Sequence, residues 1–136
     1  MRTLLFRGKR EDNGEWIIGY FAEVNGIGAA IYDAIKSKFV PIEPSTLGQD
    51  TGLMTRYSLL GTWKWVFEGD IVQLYDADNK YRYIVYWYEE QARFAGRCIE
   101  TGSGIADLTK YNVYKVLGNI HDNPELVNPS EKGGEQ

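Results

Sequence analysis

A dense run of β-branched and aromatic residues between Val66 and Tyr88, broken by short polar stretches, is the pattern that organises this chain. Glu68-Gly69-Asp70 reads as a tight turn, because Gly69 accepts a positive φ that other residues resist. Ile71–Tyr75 and Tyr81–Tyr88 are rich in β-branched and aromatic residues and predict two strands. The polar loop Asp76-Ala77-Asp78-Asn79-Lys80 joins them into a hairpin. On the second strand Tyr81, Tyr83, Val85 and Trp87 share one face, and Arg82, Ile84, Tyr86 and Tyr88 the other. Both faces are mostly apolar, which predicts a central strand covered on both sides. The rings are expected to serve core and cross-strand packing rather than as a stacking platform for bases or sugars.

The same reading extends along the chain. Residues 3–22 predict a β-hairpin turning at Asn13-Gly14, a type I′ signal that calls for positive φ at both positions. Trp16, Ile18 and Tyr20 lie on one of its faces. Gly26-Ile27-Gly28 reads as a turn; it lacks the third glycine and the strand–helix context of a dinucleotide fingerprint. Ala29–Tyr32 and Lys38–Ile42 predict strands, with a short helix over 32–38 as the competing reading. Pro41 and Pro44 hold extended backbone. Glu43–Leu53 predicts an irregular, well-defined segment. There Gly48 and Gly52 take φ values closed to other residues, and Gln49 and Thr51 bond backbone groups. Met54–Trp65 is apolar, either an edge hairpin around Leu60-Gly61 or a projecting arm. If exposed, its side chains Tyr57, Leu60, Trp63 and Trp65 form a candidate subunit interface. If covered, they add to the core.

Ala92–Glu100 predicts another strand, with Phe94, Gly96, Cys98 and Glu100 on one side. Thr101–Gly104 is a turn, Ile105–Leu108 a short segment, and Tyr111–Ile120 a strand. Asn123-Pro124 reads as a helix start, with Asn as cap. Asn128–Gln136 is polar and expected to be disordered unless held. The fold class is therefore mainly β, with α+β as the alternative. An N-terminal β-hairpin layer over residues 1–63 accompanies a small SH3-like β-barrel over 64–128, with a tail at 129–136. Together they are expected to make one compact unit, intertwined or oligomeric.

Charge and composition narrow the chemistry. The formal net charge of −4 is not that of a general DNA binder. The basic cluster Arg7, Lys9 and Arg10 is the one candidate nucleic-acid contact, and Glu11 and Asp12 beside it cancel much of its field. The only cysteine, Cys98, permits no internal disulfide and fits a reducing cytoplasm. The first residues carry too short an apolar run for a signal peptide, and no window approaches the ~18 apolar residues of a membrane span. A His-dependent triad would have to use His121, the only histidine, which reads as a surface residue beside a turn. One Cys and one His do not make a zinc site. Glu68, Asp70, Glu89 and Glu90 read as solvated strand ends rather than as cation ligands or an acid–base pair. No catalytic residue, cofactor or metal site is assigned, and an enzyme is not expected.

Several stretches together resemble the YopX family of phage- and prophage-encoded proteins. They are Phe6-Arg7-Gly8-Lys9-Arg10 with Asn13-Gly14-Glu15-Trp16 and Gly19-Tyr20, then Pro44 through Leu53, then Glu68-Gly69-Asp70-Ile71-Val72, then Val116 through Leu126. Each is weak alone; in this order they are specific. Met54–Phe67 departs from the pattern, being longer and more apolar than the polar, Asn-Gly-containing segment usual there. The resemblance implies a prophage or mobile-element origin, a cytoplasmic product and a β-rich fold that self-associates. It supplies no active site. The expected function is a homo-oligomeric, non-catalytic module that binds or regulates another protein. A nucleic-acid-binding accessory protein is the alternative.

Overall fold

The computed structural model describes residues 4–55, 64–74, 81–102, 104–108 and 113–127, and of Tyr114 the backbone alone. Every strand pairing in it is antiparallel, so the mainly β reading holds. The chain divides into two units, Met1–Asp50 and Thr51–Gln136.

In the first unit β1 (Phe6–Lys9) pairs with β2 (Trp16–Gly19), Phe6 opposite Gly19 and Lys9 opposite Trp16. The expected hairpin is present, but its turn is not type I′. Gly14 alone takes positive φ (75°). The Asn13 side chain instead accepts the Glu15 N–H at 2.9 Å, and the Gly14 N–H closes onto the Arg10 carbonyl. This side-chain bond does the work a left-handed Asn would have done.

The strands β3 (Phe21–Val24), β4 (Gly28–Asp33) and β5 (Lys38–Pro41) form a second sheet in that order. No helix forms over 32–38. The Asp33 carboxylate accepts the N–H groups of Ile35 and Lys36, and Ser37 turns through φ 55° into β5. Ala30, Ile31, Val40 and Ile42 are buried and make this unit's apolar centre.

After a 3-10 turn at Pro44–Thr46 the chain enters β6 (Gly48–Met54). This corrects the irregular segment expected over Glu43–Leu53. Gly48 and Gln49 pair with Arg7 and Phe6 of β1, and the Thr46 hydroxyl accepts the Lys9 N–H at 2.8 Å. Of Gly48 and Gly52, only Gly52 has positive φ (84°). Partners distant in sequence supply the hydrogen bonds that override the loop-like composition.

In the second unit Thr51 bonds the Val66 carbonyl through its hydroxyl, on β7 (Trp65–Phe67). Gly69 turns at φ 94° and delivers the chain into β8 (Asp70–Leu74). The buried Asp70 carboxylate accepts the Phe67 N–H at 2.8 Å, which explains a Glu-Gly-Asp turn at this point. The strands β9 (Arg82–Tyr88), β10 (Arg93–Cys98), β11 (Ile105–Ala106) and β12 (Val113–Asn119) complete a five-stranded sheet of order β11-β10-β9-β8-β12. Two register shifts bend β12 against β8. A short helix, α1 (Pro124–Val127), follows. No pairing among the described residues closes the sheet into a barrel.

One face of this sheet holds the core. Val66, Val72, Leu74, Val85, Ala106, Leu108 and Val113 are buried together, with Leu53, Tyr83, Phe94 and Val116 packed against them. As expected, β9 is central, between β8 and β10. Its second face is not fully covered: Arg82, Ile84, Tyr86 and Tyr88 are all only half-buried.

Candidate functional site

The half-buried face of β9 is the floor of an open groove. Residues directly opposite on antiparallel strands share a face. Arg97 of β10 lies opposite Ile84, so it stands beside Ile84 and Tyr86. The Ile120 N–H donates to the Gly69 carbonyl, which brings the end of β12 to the same place. Asn123 then redirects the chain. Its side chain accepts the Asn119 N–H at 3.1 Å instead of capping α1, and its carbonyl accepts the Leu126 N–H. Pro124 and Val127 of α1 thereby form the second wall. The groove encloses about 350 Å³ between Ile84, Tyr86, Arg97, Ile120, Pro124 and Val127.

Cations stack on the tyrosines of this face. The Arg97 guanidinium lies 4.9 Å from the Tyr86 ring centre, and that of Arg93 lies 5.9 Å from Tyr88. The two rings are 6.1 Å apart and tilted. Arg82 is bound by Glu100 at 2.7 Å, and Arg93 reaches Asp107 at 3.8 Å and Gln91 at 2.7 Å. The exposed Arg97 has no carboxylate partner among the described residues. The Tyr88 hydroxyl donates to Glu90 at 2.9 Å, and this bond raises the phenol above its ordinary value.

Tyr86 is only half-buried and packs against the Arg97 guanidinium rather than into the core. Tyr83 and Phe94 do pack on the core, and Trp87 meets Phe94 edge-on at 5.0 Å. The signal for the groove was present in the alternation Arg93, Ala95, Arg97, which sets two arginines on the face of Tyr86 and Tyr88. The neighbours Ile120, Pro124 and Val127 carried no such signal.

The predicted basic cluster is largely engaged with its own unit. Arg7 and Lys9 lie 4.7 and 5.5 Å from the ring centre of Trp16. Arg10 forms a two-bond pair with Asp12, at 2.9 and 2.8 Å. Their mutual hydrogen bonding holds Arg10 above and Asp12 below their ordinary values. Of the candidate interface residues, Trp65 is half exposed on β7 (50%); Tyr57, Leu60 and Trp63 lie outside the described residues.

His121 belongs to a local turn in which Asn119 Oδ1 accepts the N–H groups of His121 and Asp122. The carboxylates do not behave alike. Asp70 is buried and bound to Phe67, whereas Glu89 and Glu90 sit on an exposed 3-10 turn. Among the described residues no three His, Cys, Asp or Glu side chains are placed to hold a metal ion. No helix among them is long and apolar enough to cross a membrane.

Residues 5–128 match the family model described as YopX protein. Comparison with curated protein sequences returns no match.

Proposed function

The chain belongs to the YopX family, and from that premise we propose that it is a non-catalytic binding protein of phage or mobile-element origin. It acts in the cytoplasm, associates with copies of itself and engages a second protein. The observation that carries this reading is the groove between β9–β10 and α1: aliphatic on most sides, open to solvent, and furnished with an arginine free of ion pairing among the described residues. Such a surface binds and orients; it offers no pair of groups poised for proton transfer or nucleophilic attack. Self-association is supported by exposed apolar side chains on strands, Ile18 on β2 and Trp65 on β7.

Light scattering of the purified chain at roughly tens of micromolar tests self-association. A dimer or larger species that Trp65→Ala weakens is expected. Capture of a stoichiometric protein partner from phage-induced cells is the companion measurement. A strict monomer that captures nothing overturns the proposal.

The stacked pairs Tyr86–Arg97 and Tyr88–Arg93 favour nucleic-acid binding as the second reading. That reading expects a mobility shift of single-stranded DNA or RNA that weakens steeply with salt. No shift at low salt removes it.

A further inference from the structure

We propose that the groove docks a short segment of a partner protein that carries a Glu or Asp side chain beside aliphatic residues, with Arg97 receiving the carboxylate. The inference rests on the binding reading above and gives it a site and a ligand chemistry. Ile84, Ile120, Pro124 and Val127 supply aliphatic walls. A volume of about 350 Å³ suits a few side chains rather than a folded surface.

The charged group of the lining is the Arg97 guanidinium. Its planar fork matches a carboxylate. Tyr86 lies beneath it at 4.9 Å and limits its freedom before any ligand arrives. The other two arginines of this face already have acidic partners, Glu100 and Asp107. The carboxylate that would complete the set is thus asked of the ligand. Aliphatic walls favour aliphatic neighbours. A net charge of −4 also opposes a polyanion more than a single carboxylate.

The test uses the full chain, isotopically labelled, and three blocked peptides: acetyl-Leu-Glu-Leu-amide and its Gln and Lys counterparts. Backbone amide shifts are followed on titration. The Glu peptide is expected to shift amides of Ile84, Tyr86, Arg97, Ile120 and Val127. The Gln peptide is expected to bind about tenfold more weakly or worse. In Arg97→Glu the preference reverses to the Lys peptide, with the rest of the spectrum unchanged. That reversal is something a merely structural arginine would not produce.

Equal binding of all three peptides, or none at millimolar concentration, overturns the proposal. It also falls if an oligothymidylate occupies the groove more tightly than the Glu peptide. Two further results overturn it: binding that appears only after removal of residues 128–136, and groove shifts that depend on protein concentration alone. The first names the chain's own end as occupant, the second another copy. Partner capture by Arg97→Glu equal to that of the parent rejects the groove and leaves the binding reading standing. Failure of the parent itself to capture a partner rejects both.

Discussion

Glu100 clasps Arg82 from both sides of its carboxylate. One oxygen accepts the Arg82 backbone N–H at 2.9 Å and the other accepts Nε at 2.7 Å. The Ile99 N–H returns to the Arg82 carbonyl at 2.8 Å, so the contact ties the start of β9 to the end of β10. Partial burial alone would raise the Glu100 carboxyl, but the bonds from Arg82 outweigh it and hold it below the ordinary range.

A pH dependence follows with a definite sign. Because the folded value is depressed, the stabilisation is fully present above the unfolded value, about 4.3. It is lost as pH falls through the folded value. Carboxyl NMR titration should place the Glu100 midpoint below an ordinary glutamate. Arg82→Ala should move it upward only partway, since the backbone donor remains. A midpoint insensitive to Arg82→Ala contradicts this account.

Asp70 is buried, and its side chain accepts the Phe67 N–H across the Gly69 turn. Asp70→Ala leaves that buried N–H without this acceptor and should cost about 1–3 kcal/mol in urea unfolding. Asp70→Asn keeps an acceptor oxygen and should cost less. Equal stability of the Ala variant and the parent would show that the turn does not depend on this bond.

Thr51 works in two directions. Its hydroxyl donates to the Val66 carbonyl at 2.7 Å and accepts the Leu53 N–H at 3.1 Å. Thr51→Val has nearly the same shape but removes both bonds, so a loss of about 1–3 kcal/mol is expected. Thr51→Ser should recover most of it. A valine variant that unfolds with the parent would assign this site to shape alone.

Two glycines of the first hairpin separate space from conformation. A Cβ on Gly19 would sit 2.5 Å from the Tyr32 carbonyl oxygen, whereas Gly14, at φ 75°, has nothing within 4 Å of its Cβ position. Gly14→Ala meets only left-handed strain, about 1 kcal/mol. Gly19→Ala must move backbone and should cost more, about 2–3 kcal/mol. The reverse order in thermal or urea unfolding would show that β4 yields easily at Tyr32.

Local patterning made much of the fold legible. The β1–β2 hairpin and the antiparallel pairing of β8 with β9 follow from strand-forming runs close together in the chain; the loop expected at Asp76–Lys80 lies outside the described residues. Gly48–Met54 was misread because its Pro, Ser and Gly neighbours look loop-like, while its hydrogen bonds come from β1 and β7. Antiparallel pairing of neighbouring strands was legible in the second unit, but the order β11-β10-β9-β8-β12 was not. That order depends on β12 meeting β8 across a long stretch of chain.

The sequence by itself determined a β-rich chain, the places of its main turns and the arginine–tyrosine alternation of β9 and β10, because each is written in neighbouring side chains. Only the tertiary structure decided that the Arg82 face would remain half open, with Ile120, Pro124 and Val127 brought against Ile84, Tyr86 and Arg97. Those contacts depend on the pairing of β12 with β8 and on the Asn119–Asn123 turn, so no short stretch of sequence contains them.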